Sequence, residues 1–258
     1  MLLRRFLFEW EDLPWFPDRI RGYMLDFLTF FLKVGKLYSP ITSLLVQKVR
    51  ESDSDFLFDL ASGGAGPLES LLPELKKAIP HVQVLLSDLY PNPMAWRRLE
   101  GRFPQTVKGI DEPVNALALP PDREALFTMF SALHHFDPET LKTLLSHLAE
   151  RRQTALFCDG GGNQLMLLGG ILLMPIFFLL ATPFLKPFSW RRLLFTYVIP
   201  VVPFCTLWDG TVSILRLYSF RKLERLAAQC STPEYRWKAG KFRKFRGVYV
   251  YVLEGTPQ

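Results

Sequence analysis

Phe56-Leu57-Phe58-Asp59-Leu60-Ala61-Ser62-Gly63-Gly64-Ala65-Gly66-Pro67 reads as a short buried strand ending in an acid, a glycine-rich turn and the start of a helix. Pro67 suits the first helical turn, where a missing N–H costs nothing. Glycines let the backbone approach a ligand closely, and the helix start offers N–H donors without intrahelical partners. A dinucleotide fingerprint would need Gly-x-Gly-x-x-Gly, but counting from Gly64 the third glycine position holds Glu69. A phosphate-cradling loop needs Gly-Lys-Ser/Thr behind its glycines, and no such triplet follows. A tight turn without any ligand leaves the same signature, so the sequence downstream has to decide.

The bulk numbers bound the answer. A chain of 258 residues is expected to form one large domain or a domain carrying an insertion. An apolar content of 49%, with 14% aromatic residues, excludes disorder and supplies a sizeable core. Cys158, Cys205 and Cys230 are odd in number and lack metal-ligand spacing, which reads as reduced thiols. The formal charge of +6 favours anionic partners, membrane lipid or nucleic acid. Arg4-Arg5 precedes a short apolar run, but Glu9, Glu11 and Asp12 end it at once. The expectation is an uncleaved protein on the cytoplasmic side of a membrane.

From Asp55 onward, short apolar runs alternate with helical segments, the pattern of βαβ units around a parallel sheet. Strands are expected at Asp55–Leu60, Val82–Ser87, Ala125–Phe130 and Ala155–Cys158, with a weaker one near Gln105–Lys108. Tyr235–Ala239 and Gly247–Leu253 complete a sheet of about seven strands with helices on both faces. Residues 1–50 form a helical cap, in which Phe27, Phe30, Phe31 and Val34 fall on one stripe. The core spans 51–160, an apolar insertion 161–208, and the returning helix and last strands 209–258.

The insertion opens directly behind the fifth strand. Leu165–Leu185 carries no charge over 21 residues, enough to span a bilayer as one helix. Lys186, Arg191 and Arg192 follow, then an uncharged arm, Leu193–Trp208, with Pro200 and Pro203. A spanning hairpin would carry those charges across the membrane, against the positive-inside tendency. A hairpin dipping into one leaflet or lying on it fits better, with a lid packed wholly on protein as the alternative.

Asp59 and the turn behind it resemble the first motif of the class I S-adenosylmethionine-dependent methyltransferases. That family shows Asp/Glu-x-Gly-x-Gly-x-Gly. Here Ala61 and Ala65 stand at two of the glycine positions and Gly63 at the middle one. The resemblance implies a Rossmann-like fold and S-adenosylmethionine as cofactor, met by Asp59, Ala61, Ser62, Gly63 and Gly64. Asp88, with Leu89, ends the second strand where the family places an acid for both ribose hydroxyls. Asn115-Ala116 stands where Asp-Ala receives the adenine amino group, and an Asn oxygen can still accept that bond. Leu117-Ala118-Leu119-Pro120 extends that motif. Ser131 and His134, on the run Ser131-Ala132-Leu133-His134-His135, are expected at the cofactor, with His135 near the substrate.

Asp159 ends the fifth strand, where ligands of open parallel sheets bind. His135 and Asp159 are the candidate catalytic groups, joined by Glu9 and Glu11 from the cap. No carboxylate or cysteine accompanies the paired histidines at a metal-binding spacing, so no metal is expected. Methyl transfer to O or N of a lipophilic or membrane-derived small molecule is the leading reading, with Lys186, Arg191, Arg192 and the basic run Lys238–Arg246 facing anionic head groups. A soluble enzyme with a hydrophobic lid and a non-catalytic membrane-binding module are the alternatives. Nucleic acid is disfavoured: no acid-Pro-Pro-aromatic motif follows the fourth strand, and aromatics do not interleave with the basic residues.

Overall fold

The computed structural model describes residues 7–52, 54–118 and 124–258. Arg4-Arg5 and Leu119-Pro120 lie outside them. Seven strands form one sheet in the order β3-β2-β1-β4-β5-β7-β6. They are β1 (Phe56–Leu60), β2 (Gln83–Leu86), β3 (Val107–Gly109), β4 (Leu126–Phe130), β5 (Ala155–Gly162), β6 (Tyr235–Phe245) and β7 (Val248–Pro257). The first five pair in parallel, and β7 runs antiparallel to both β5 and β6. The strand order reverses between β1 and β4, which opens a crevice at their carboxyl ends.

The apolar runs need cover on both faces, as parallel strands do. Leu57, Val84, Leu126 and Leu156 pack on one side with α2 (Thr42–Glu51), α3 (Gly66–Ala78) and α4 (Pro93–Arg102). Phe58, Phe127, Met129 and Phe157 pack on the other with α5 (Pro138–Glu150) and α10 (Phe220–Cys230). The α/β sheet with helices on both faces is the expected fold. The ends shift: β3 starts two residues later than the reading gave, β5 runs on past Cys158 to Gly162 and so takes in Asp159 and the glycines behind it, and β6 and β7 extend the final hairpin. The extension absorbs much of the basic run. Lys241 sits 3.9 Å from the Tyr249 ring centroid, and charged residues along an edge strand discourage pairing with another chain.

The cap helix α1 (Asp18–Gly35) lies directly on the glycine turn. A Cβ on Gly66 would stand 2.8 Å from Thr29 Cα, closer than atoms in contact allow. Gly66→Ala is therefore expected to destabilise the fold by about 1–3 kcal/mol, read as a lowered midpoint of thermal or urea unfolding. The expected stripe needs correction. Phe27 is buried, but Phe31 and Val34 are exposed. The buried face runs through Ile20, Tyr23, Met24 and Phe27 because it meets the insertion residues Phe178, Leu185 and Val202.

The insertion is α6 (Gln164–Ile171), α7 (Met174–Ala181), the short α8 (Trp190–Leu193) with a π-turn at Leu194–Val198, and α9 (Val201–Arg216). Among the described residues no single helix is long and apolar enough to cross a membrane. Gln164–Ile171 and Met174–Phe184 meet at a 42° bend, and Trp190–Val198 and Val201–Arg216 at 75°. Pro175 and Pro200 stand at these breaks, where a proline removes an amide donor and ends or redirects a helix. α9 runs straight through the boundary expected at 208/209, so insertion and returning segment are one helix there.

Candidate active site

A cavity of about 270 Å³ occupies the crevice, roofed by Leu25, Leu28, Thr29 and Leu32 of α1. Its floor is the turn after β1. Ala61, Gly63 and Ala65 all take positive φ there, +51°, +49° and +57°. The two alanines thus keep the left-handed backbone that glycine would adopt, at a cost of roughly 1–2 kcal/mol each. Ser131, at the end of β4, is likewise at +55°. Residues held in such conformations cluster where a ligand dictates the path of the chain.

Asp59 fastens this floor from below. Its carboxylate accepts hydrogen bonds from the hydroxyls of Ser62 and Thr128, each at 2.7 Å, and its carbonyl accepts one from the Ser87 hydroxyl at 2.8 Å. Burial pushes its pKa up to about 7, with a smaller push from the charge of Asp88 and relief from the two hydroxyls. Asp59 is 2% exposed and does not border the cavity, contrary to its expected cofactor contact. It acts on the site through Ser62, which does border it.

Asp88 stands at the cavity wall. Its Oδ2 accepts the Gly63 amide at 2.7 Å and its Oδ1 the Tyr90 amide at 2.8 Å. The indole of Trp96 donates to the Gly63 carbonyl at 2.9 Å, so Gly63 is gripped from both sides. Burial raises the Asp88 pKa, opposed by the two amides and by the charges of His135 and Arg21. Ala61, Ser62, Gly63, Gly64, Leu89, Asn115, Ala116 and Ser131 join Asp88 along the wall. Asn115 Oδ1 accepts from the Leu117 amide at 2.9 Å, which leaves that oxygen one further lone pair.

The two histidines separate. They share one turn of 3₁₀ helix, Leu133–His135, where consecutive side chains point about 120° apart. His135 borders the cavity, and His134 does not. His134 Nδ1 lies 2.8 Å from Asp159 Oδ2, which also accepts the His134 amide at 3.0 Å. Both side chains are buried. His134 at the cofactor and Asp159 at the substrate therefore both need correction: the pair fixes the β4 and β5 ends behind the wall.

His135 instead meets a charged cluster from the cap. Its Nδ1 is 2.9 Å from Asp12 Oδ1, and its Nε2 is 3.6 Å from Glu9 Oε2 and 3.9 Å from Glu11 Oε1. Burial opposes the imidazolium, but the Asp12 hydrogen bond and the charges of Glu9, Asp12 and Glu11 outweigh it and raise the pKa to about 10. Burial is also the main force raising Glu11 to about 8, with His135 pulling the other way. Arg216 of α9 closes the cluster, 3.0 Å from Glu9 and 3.1 Å from Asp12. Glu9, His134 and His135 offer metal-type donors within 4.8 Å of one another. Each already has a charged partner: Arg216, Asp159 and Asp12 respectively.

Sequence reading missed Asp12, Arg21, Tyr90 and Arg216, because these contacts join residues up to 207 positions apart. Glu9 has no exposed surface. Arg216→Ala would leave that carboxylate, among the described residues, only His135 and the Ser213 hydroxyl, and a drop in unfolding midpoint worth about 1.5–3 kcal/mol is the expected result.

A glycine turn under a cap helix, an acid closing β2 and a crevice at the β1/β4 switch point define the fold of the class I S-adenosylmethionine-dependent methyltransferases. Among solved structures, an O-methyltransferase family protein from Burkholderia thailandensis matches with a TM-score of 0.51 at 12% identity, covering 89% of this chain and 59% of that one. Magnesium protoporphyrin IX methyltransferase from Synechocystis PCC 6803, solved with bound SAH, matches at 0.48 and 13% identity over 87% of this chain and 84% of that one. The O-methyltransferase of neocarzinostatin biosynthesis, solved with S-adenosylmethionine, matches at 0.45 and 14% identity over 86% and 59%. The chain thus spans about three fifths of the length of two of these structures. No family model matches its sequence, and no curated protein does.

Proposed function

We propose that the chain binds S-adenosylmethionine in the cavity above the glycine turn and transfers a methyl group to an oxygen or nitrogen of a lipophilic small molecule at a membrane surface. The observation that carries this reading is the Asp88–Gly63 contact at the switch point of the sheet. Asp88 keeps acceptor capacity for a ribose diol. Asn115 offers an acceptor for an exocyclic amine. The residues present thus fit the cofactor, which supplies a sulfonium-activated methyl group when bound.

The protein's own tasks are to align the acceptor and to take its proton. Glu11, Asp12 and His135 reach the cavity, whereas Asp159 and Glu9 lie behind it. His135 is held as an imidazolium and orients Asp12 and Glu11. Glu11, with a pKa near 8, is the group poised to accept a proton from a hydroxyl acceptor. The rate should rise with pH through about 8 as Glu11 ionises. Glu11→Gln should abolish that limb and slow transfer about 10²-fold or more. A rising limb that persists in the variant would assign the base elsewhere.

The membrane part of the reading rests on the insertion. Leu165, Leu172, Phe184 and Trp190 are 81%, 70%, 75% and 77% exposed, an apolar face beyond the usual surface patch. Lys186 and Arg191 flank it, and Trp and Tyr suit the interfacial zone. Incubating the protein with methyl-labelled cofactor and a membrane lipid extract tests the whole. Label in the organic phase supports it. Cofactor binding without transfer to any extract favours the non-catalytic alternative.

A further inference from the structure

A second cavity, of about 550 Å³, lies on the other flank of α1. It is walled by α1, by the loop Tyr90–Met94 and by Pro187–Arg192 of the insertion. Two features of it are unlike an ordinary packing gap. Its walls carry Arg19, Arg21, Arg98 and Arg192 against only Asp18 and Asp26. Asp26 alone serves both Arg98, at 2.6 Å, and Arg192, at 3.0 Å. Asp18 is taken by Arg21. The cavity therefore holds two more cationic than anionic side chains. The second feature is Arg192 itself. Its side chain is 1% exposed, and its Nε is buried with no hydrogen-bond partner among the described residues. The rest of that guanidinium is taken by Asp26 and by the Leu185 and Pro187 carbonyls, so Arg192 lends the cavity a fixed, buried positive charge.

The cavity also joins two different surroundings. At one end Phe188, which is 55% exposed, connects it to the apolar face that bears Phe184 and Trp190. At the other end Arg21, Leu25 and Tyr90 are walls shared with the cofactor cavity. Arg21 stacks 4.5 Å from the Tyr90 ring and donates to the Glu11 and Leu13 carbonyls, while the Tyr90 hydroxyl donates to the Asp12 carbonyl. The shared wall therefore leads to the cap residues at His135.

We propose that this second cavity binds the acceptor as an anionic amphiphile: an oxyanion at Arg19 and Arg98 beside the buried charge of Arg192, an apolar chain leaving past Phe188, and the reacting end toward Tyr90. Calling the ligand an acceptor rests on the methyl-transfer reading above. The oxyanion site itself does not. Guanidinium forks suit phosphate and carboxylate alike, and desolvated pairs of this kind are the strong ones.

The test is calorimetry on the full chain without S-adenosylmethionine. The probes are dioctanoyl phosphatidate below its micelle concentration, uncharged dioctanoylglycerol and inorganic phosphate. The expected result is phosphatidate binding at least tenfold tighter than either of the others, weakened at least tenfold by Arg19→Gln with Arg98→Gln. Arg98→Lys should retain part of the affinity, and unfolding midpoints should confirm that the variants fold. Equal binding of phosphatidate and dioctanoylglycerol, or no effect of the double substitution, would overturn the site. Inorganic phosphate binding as tightly as phosphatidate would overturn the amphiphile and leave a free-anion site. Loss of cofactor binding in a parallel titration with this result intact would sink the methyl-transfer reading alone.

Discussion

Asp88→Ala is expected to weaken S-adenosylmethionine binding by about 100-fold or more, measured by calorimetry against the wild-type chain. Among the described residues, Asp88 is the one carboxylate that both walls the cavity and grips the glycine turn, through Gly63 at 2.7 Å. Its removal deletes two acceptors for a diol and releases the turn whose shape the cofactor needs. Charge-assisted hydrogen bonds of about 1.5–3 kcal/mol each account for the loss. Asp88→Asn separates the two effects. It keeps one acceptor oxygen but sets an amide N–H₂ against one of its two backbone donors, and an intermediate affinity is expected. Unchanged affinity in the alanine variant would remove the ground for placing the cofactor here.

Leu172→Glu, Leu180→Glu and Phe184→Glu together should detach the protein from membranes. Flotation with vesicles of phosphatidylcholine containing one third phosphatidylglycerol reads this directly. The three side chains are 70%, 66% and 75% exposed, so the fold does not depend on their burial. Each withdrawn apolar side chain forfeits about 1.5–3 kcal/mol, which makes the combined loss of partitioning at least about 1,000-fold. An unchanged unfolding midpoint is expected alongside. Wild-type protein that stays with the lipid-free fraction would return the insertion to the role of a lid.

The sheet was legible because its information is local. Each parallel strand is a short apolar run, and the glycine turn, Asp88 and Asn115 follow their strands at fixed places. The same order placed most of the cavity wall. The rest depended on contacts that no spacing encodes. Asp59 fits the family motif as well as Asp88 does, yet burial turns it into a fastening beneath the turn. His134 and His135 are neighbours in sequence with opposite fates, decided by which side chain of a single helical turn faces Asp159. Phe31 and Val34 continue a helical stripe in sequence, but the apolar cluster that the helix forms with the insertion takes in Phe27 and Phe30 and leaves those two exposed. Leu165–Leu185 has the composition of a membrane span. Its geometry as a bent pair was set by a proline and by packing against α1, which composition does not register.

The fastening at Asp59 has a mechanical consequence. One carboxyl group and its own carbonyl join the ends of β1 and β2, through Ser62 and Ser87, to the middle of β4 at Thr128. The two loops that rise from β1 and β2 cannot loosen one at a time, since freeing either strands a buried polar group shared with the other. The crevice therefore opens cooperatively, as a single unit of local unfolding whose free energy lies well above that of an ordinary surface loop. A ligand entering it meets a rim that is rigid as a whole, and the compliance needed for entry and exit is left to the cap helix above.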